Sequence, residues 1–290
     1  MAEVTALMVK ELREMTGAGM MECKKALEEA GGDMEAAVDV LRTRGLAAAA
    51  KRAGRATNEG LVVAAISSDG LSAAIVEVNC ETDFVSRNEV FATYASRAAQ
   101  AALDTKCNDV EALLAASTGS ETVGEMITEA IHTIGENIQI SRCLFTSIET
   151  GLITSYIHAG GRLGVLVSLK LGKQATAENA EVVVLAKDIA MQIAAANPVA
   201  VTRDDFAPEF IARELAIYEA QAAESGRPED IQAKMVEGRM DKFYRESSLV
   251  EQAFIKDTDK TITQVIDAVA KTAADSIEVV GFTRFELGQA

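Results

Sequence analysis

No stretch of the chain's 290 residues approaches the ~18 consecutive apolar residues that a membrane-spanning helix requires. Its start also lacks the basic-then-apolar order of a secretory leader, so the expected address is the cytoplasm and no membrane contact is expected. Basic residues are outnumbered, 28 against 44 acidic, for a formal net charge of −16. Such a balance opposes a broad phosphate-tracking surface, and no direct nucleic-acid partner is expected. The four cysteines, Cys23, Cys80, Cys107 and Cys143, form neither a close pair nor a zinc spacing and are expected to be reduced and mostly buried. The only histidines, His132 and His158, are far apart in sequence. There is no phosphate-loop sequence. The segment Gly17-Ala18-Gly19-Met20-Met21-Glu22 follows no strand and lacks the third glycine of a dinucleotide fingerprint. The expectation is therefore a chain without covalent chemistry, cofactor or metal of its own, leaving open a cysteine and histidine brought together by folding.

Helical spacing organises the first 55 residues. Val4, Leu7, Met8, Leu12 and Met15 fit one face, Met20, Cys23, Leu27 and Ala30 a second, and Met34, Ala37, Val38 and Leu41 a third. Three short helices are predicted, with a turn at 16–19, an N-cap at Asp33 and a stop at Gly45. Met21 falls off the second stripe, either as an exposed, adaptable contact or incidentally. This segment is charge-balanced, nine acids against nine bases, and ends in the basic run Arg42, Arg44, Lys51, Arg52 and Arg55, read as a solvated helix face or linker.

Downstream the sequence repeats itself. GLVVAAISSDGLSAAIVEV from Gly60 aligns without gaps on GLITSYIHAGGRLGVLVSL from Gly151, and both read as β-hairpins. Helical segments follow at 88–103 and 180–196, and TVGEMITEAIHTIGENIQI from Thr122 aligns on TITQVIDAVAKTAADSIEV from Thr261. Hairpin, helix, helix and final strand are thus used twice, giving an α+β fold with duplicated small antiparallel sheets covered by helices. The offset between copies grows from 91 to 139 residues, so the second copy carries an insertion of about 48. There Ile211, Leu215, Tyr218 and Ala222 repeat at heptad spacing. Val236, Met240, Phe243, Val250 and Phe254 do so beyond Ser225-Gly226-Arg227-Pro228, predicting a helical hairpin or coiled coil. The expected division is 1–55 for the helical module and linker, 56–146 for the first copy, 147–202 with 257–290 for the second, and 203–256 for the insertion.

Between the first hairpin and its helix lies EVNCETDFVSRN, which places Asp83 and Phe84 at a strand-to-helix junction. Local pattern alone reads Thr82 or Asp83 as a helix cap and Phe84 as a packed hydrophobic staple. However, ELREMTGAGMMECKKALEEAGGD and EVNCETDFVSRNEVF resemble the two signatures of the elongation factor Ts family. The likeness continues through YIHAGGRLGVLV and KFYRESSLVEQAFIKD to IEVVGFTRFELGQ. That resemblance implies a ubiquitin-associated-like N-terminal bundle, a two-part core, a coiled-coil insertion and a C-terminal module. It further implies a guanine-nucleotide exchange factor for elongation factor Tu in protein biosynthesis, with GDP and magnesium bound to that partner. By the same resemblance Thr82, Asp83, Phe84 and Val85 dislocate the partner's magnesium, Arg13, Met20 and Met21 touch its nucleotide-binding domain, and His158 is a further contact. An oligomer is compatible with the sequence.

Overall fold

The computed structural model describes residues 4–16 and 18–289; Gly17, within the first expected turn, lies outside them. Helices α1 (Ala6–Thr16), α2 (Met20–Glu29) and α3 (Met34–Arg52) form the N-terminal bundle around Leu12, Cys23, Ala26, Leu27, Ala37 and Leu41. Asp33 accepts from the Ala36 N–H at 2.9 Å, as its place before α3 predicts. Three expected core residues are instead on the surface: Leu7, Met15 and Met20 are 64, 68 and 56% exposed. The stripe of α1 runs through Val9 and Leu12, with Met8 and Thr16 half-buried, so Leu7 and Met15 fall on its flank. Nor does α3 stop at Gly45. One glycine inside a helix costs about 1 kcal/mol, and the four alanines at 47–50 carry the helix through. The basic run lies on and after this helix, where Arg42 pairs with Glu125, Arg44 with Glu29 and Arg55 with Glu81.

The first copy runs β1 (Glu59–Ile66), β2 (Ser72–Cys80), α4 (Asp83–Ser86), α5 (Glu89–Thr105), α6 (Val110–Ala115), α7 (Val123–Ile134) and β3 (Gln139–Ser147). The second runs β4 (Gly151–His158), β5 (Leu163–Leu171) and α8 (Ala180–Ala196). Then come α9 (Pro208–Glu224), α10 (Glu229–Ser247), β6 (Ala253–Phe254), β7 (Asp257–Thr261), α11 (Ile262–Ala273) and β8 (Ile277–Glu286). The sheets have the orders β1-β2-β3 and β4-β5-β8, both antiparallel. The duplication reaches single residues. Asn88 and Asn179 cap α5 and α8, both of 17 residues; Thr122 with Glu125 and Thr261 with Gln264 form matching capping boxes; bulges fall at Glu77/Val78 and Ser168/Leu169. Gly60 and Gly151 open the two hairpins at φ 154° and 140°, where a Cβ would strike the carbonyl oxygens of Val78 and Leu169.

The molecule is α+β in four layers. Alternation along β2 turns Ala74, Val76 and Val78 toward α5 and α7, and Ala73 and Ile75 toward the other sheet. There they meet Ile153, Leu166 and Phe285, while Val165, Val167 and Leu169 of β5 face α8 and α11. A buried polar link crosses this seam. Glu77, 3% exposed, accepts from Arg142 Nε at 2.7 Å, and the Arg142 guanidinium stacks 4.2 Å from the Phe285 ring. Helices α9 and α10 form an antiparallel hairpin in which only Ala222 is fully buried among the described residues. Its base is an aromatic cluster of Phe206, Phe210, Phe243 and Tyr244. Because α10 ends at Ser247, Val250 and Phe254 lie beyond the second arm and pack into the core of the second copy. Among the described residues no helix is long and apolar enough to cross a membrane.

Candidate functional site

The sharpest surface feature lies just past β2. Phe84 is 84% exposed, the most exposed of the large apolar side chains among the described residues. It projects from α4, a single turn that begins because Thr82 Oγ1 accepts from the Val85 N–H at 3.4 Å and ends at Arg87. The capping half of the local reading is therefore present, but the staple is not: Phe84 has no apolar layer over it, whereas Val85, one residue on, packs against the core of the first copy. Asp83, about half exposed, pairs with Arg87 at 3.1 Å. Ser86 Oγ donates to the Asp83 carbonyl at 3.0 Å, tightening the turn. Behind it, Cys80 Sγ donates to the Thr82 carbonyl at 3.2 Å.

A residue without any local signal anchors this loop. Glu136 accepts from the backbone N–H groups of Glu81 and Thr82, each at 3.0 Å, and from Thr82 Oγ1 at 2.6 Å. Its partners lie more than fifty positions upstream, beyond the reach of any spacing pattern.

His158 ends β4, exposed, with Nδ1 2.9 Å from the Tyr156 hydroxyl. Its hairpin tip rests on β1: Gly161 fits against Leu61, where a Cβ would not, and Arg162 pairs with Glu59. Glu59 sits opposite Cys80, and α4 packs on β1 and β2, so the second hairpin and the Phe84 loop share one end of the double sheet. Arg13, Met20 and Met21 stand apart from them on the N-terminal bundle, all exposed. That bundle meets the first copy along α7, where Arg42 pairs with Glu125 and Gly45 packs against His132. His132 Nε2 lies 3.3 Å from Glu22 Oε2 without hydrogen-bond alignment, its side chain only 6% exposed.

These surroundings argue against a thiol catalyst. The histidines face Tyr156 and Glu22, not a sulfur. Burial, with Glu136 the next cause, pushes the Cys80 thiol up to about 12, and burial pushes Cys143 up to about 11. Among the described residues no cluster of His, Cys, Asp and Glu could hold a metal ion. What the site offers is a shaped surface: an exposed aromatic beside a carboxylate, a histidine at the same end, and exposed methionines on a neighbouring bundle.

Comparisons with known proteins give the family. The family described as Elongation factor TS matches residues 81–289. Elongation factor Ts of Clostridium perfringens (strain SM101 / Type A) is 48% identical over 287 residues, which is 99% of this chain and 93% of that protein. Elongation factor Ts of Clostridium botulinum (strain Alaska E43 / Type E3) has the same identity and coverage, and that of Trichlorobacter lovleyi is 45% identical over 289 residues, again 99% and 93%. On a family match spanning most of the chain and relatives aligned over nearly all of it, the chain belongs to the elongation factor Ts family.

Proposed function

We propose that the chain is a guanine-nucleotide exchange factor that acts on elongation factor Tu in the cytoplasm during translation elongation. One observation carries the reading: Phe84 is held in the open on a braced turn, beside a carboxylate, which leaves its apolar surface free for a partner to cover. Against the partner, Phe84 enters an apolar pocket while Asp83 brings a carboxylate near the magnesium and phosphates. Distortion there loosens GDP. Thr82 and Val85 shape the turn, His158 adds a contact from the second copy, and Arg13, Met20 and Met21 hold the partner's nucleotide-binding domain. Segment 1–55 would then dock the partner, 56–146 would carry the exchange loop, 147–202 with 257–290 would present His158, and 203–256 has no assigned part.

Linkage supplies the energy. A factor that binds nucleotide-free partner more tightly than GDP-bound partner must weaken GDP by the same ratio, with no bond made or broken. The test is release of labelled GDP from purified elongation factor Tu with and without the chain. Acceleration that saturates with the chain's concentration is expected. Binding without acceleration would leave an interaction scaffold in its place.

A further inference from the structure

Helix α7 ends at Ile134, Gly135 turns the chain at φ 86°, and the next residue, Glu136, faces back toward the end of β2. Its carboxylate takes two backbone N–H groups and one hydroxyl from residues 81 and 82. A carboxylate with three donors is a strong anchor, because charge-assisted hydrogen bonds are roughly twice as strong as neutral ones. Asn137, 3% exposed, adds a second brace: its N–H donates to Glu81 Oε1 at 2.6 Å and its Nδ2 to the Arg55 carbonyl at 2.9 Å. Together these bonds fix the backbone direction at 81–82 and the rotamer of Thr82, the residue whose hydroxyl starts the turn that carries Phe84.

The second copy repeats the device around a different loop. Ala274 takes the left-handed place of Gly135 at φ 51°, and Asp275 takes the place of Glu136. Asp275 Oδ2 accepts from the Lys173 N–H at 2.9 Å and from Thr176 Oγ1 at 2.6 Å. Lys173 is the repeat equivalent of Thr82, 91 residues on. The loop so held is Gln174–Glu178, and an exposed Ala175 stands where the first copy has Phe84. The bracket therefore belongs to the duplicated fold, and the first copy alone uses it to present an aromatic.

We propose that Glu136 is a positioning residue for nucleotide exchange, holding the Phe84 turn in its partner-ready conformation through Thr82 rather than by touching the partner. The proposal rests on the exchange reading. With the bracket gone, residues 81–84 sample other arrangements, and only a fraction of molecules present Phe84 correctly. Docking through the N-terminal bundle and His158 persists, so the loss falls on the maximal rate of GDP release rather than on the half-saturating concentration of the chain.

Four variants, with Phe84→Ala as a reference, test this in the GDP-release assay, each checked by urea unfolding. Glu136→Ala is expected to lower the maximal rate about tenfold, as when the competent fraction falls to roughly a tenth, with the half-saturating concentration within about twofold. Glu136→Gln, which keeps an acceptor oxygen, recovers part of that rate and serves if the alanine variant does not fold. Asp275→Ala breaks the matching bracket and leaves the maximal rate unchanged. Combined with Phe84→Ala, Glu136→Ala adds little, because both act through one side chain. An unchanged rate in Glu136→Ala, an equal loss in Asp275→Ala, or losses that multiply in the double variant would each overturn the proposal while leaving the exchange reading intact. A wild-type chain that releases no GDP removes both.

Discussion

At the scale of single residues, exposure separates the functional reading from the structural one. Burying a Phe contributes about 2 to 3 kcal/mol, and Phe84, 84% exposed, keeps nearly all of that for a partner. Phe84→Ala should therefore slow saturated GDP release by about one to two orders of magnitude while shifting stability within about ±0.5 kcal/mol. A loss of stability with exchange unchanged would return Phe84 to the role of a staple. The sequence located Thr82, Asp83 and Phe84 at a strand-to-helix junction, but whether Phe84 packs or projects depends on neighbours brought in by folding. Glu136 was illegible for the same reason, whereas the exposure of Met21 was legible because its place off the stripe is a local property. Thiol chemistry gives a separate residue-level test. With Cys80 pushed up to about 12 and Cys143 to about 11, and Cys23 raised chiefly by burial, none of these three is a thiolate at neutral pH. Alkylation of the native chain followed by peptide mass mapping should mark half-exposed Cys107 first, and modification of the other three should wait for denaturant. Prompt labelling of Cys80 would mean that the strand end behind the exchange loop opens in the native state.

At the scale of elements, the repeat was the most legible feature, because hairpin turns, caps and alternating strands leave local marks that survive divergence. The two matched helices of each copy begin at the same capped positions, and the sheets have the same order. Element ends were harder to read. The end of α3 was set by the alanines after Gly45, and the end of α10 by Ser247, whose carbonyl accepts from the Val199 and Ala200 N–H groups. That docking ties the hairpin's base to the second copy, as do Gln252, bonded to the Glu246 carbonyl at 2.7 Å, and Arg203, bridging Asp241 and Glu251. Above the aromatic cluster the arms bury little. Replacing residues 214–239 with a short Gly-Ser turn should therefore keep Phe210 and Phe243 in place and shift stability by less than about 1 kcal/mol. Circular dichroism would show helix lost and a cooperative melt retained; a chain that no longer melts cooperatively would make the hairpin part of the core. Because the Phe84 turn belongs to the other copy, substantial GDP release should survive, and a folded but inactive chain would place the hairpin in the exchange mechanism.

At the scale of the whole molecule, the N-terminal bundle and the double sheet are separate cores joined along α7. The bundle encloses its own cluster around Leu12 and Leu27, and the sheets enclose theirs on both faces. Their join includes the Arg42–Glu125 pair, the approach of His132 to Glu22, the contact of Gly45 with His132, and Ala49 of α3 packed against the first copy's core. Arg55 belongs to the core side, since its guanidinium pairs with Glu81 and its carbonyl accepts from Asn137. A chain beginning at Ala53 therefore keeps the complete brace of the Phe84 turn while losing Arg13, Met20 and Met21. It should fold, with a lower melting temperature from the α7 surface it uncovers. On the exchange reading, these two exposed methionines and the arginine are contacts for elongation factor Tu. Their loss should weaken binding at least tenfold, which corresponds to about 1.4 kcal/mol. The maximal rate of GDP release, which the proposal assigns to the braced turn, should change far less. Titration calorimetry gives the first quantity and saturation of the release assay the second. Equal affinity in the truncated chain would mean that the bundle does not hold the partner, and a collapse of the maximal rate at full occupancy would mean that the end of α7 relays the bundle's docking to the Phe84 turn through the short stretch from His132 to Glu136.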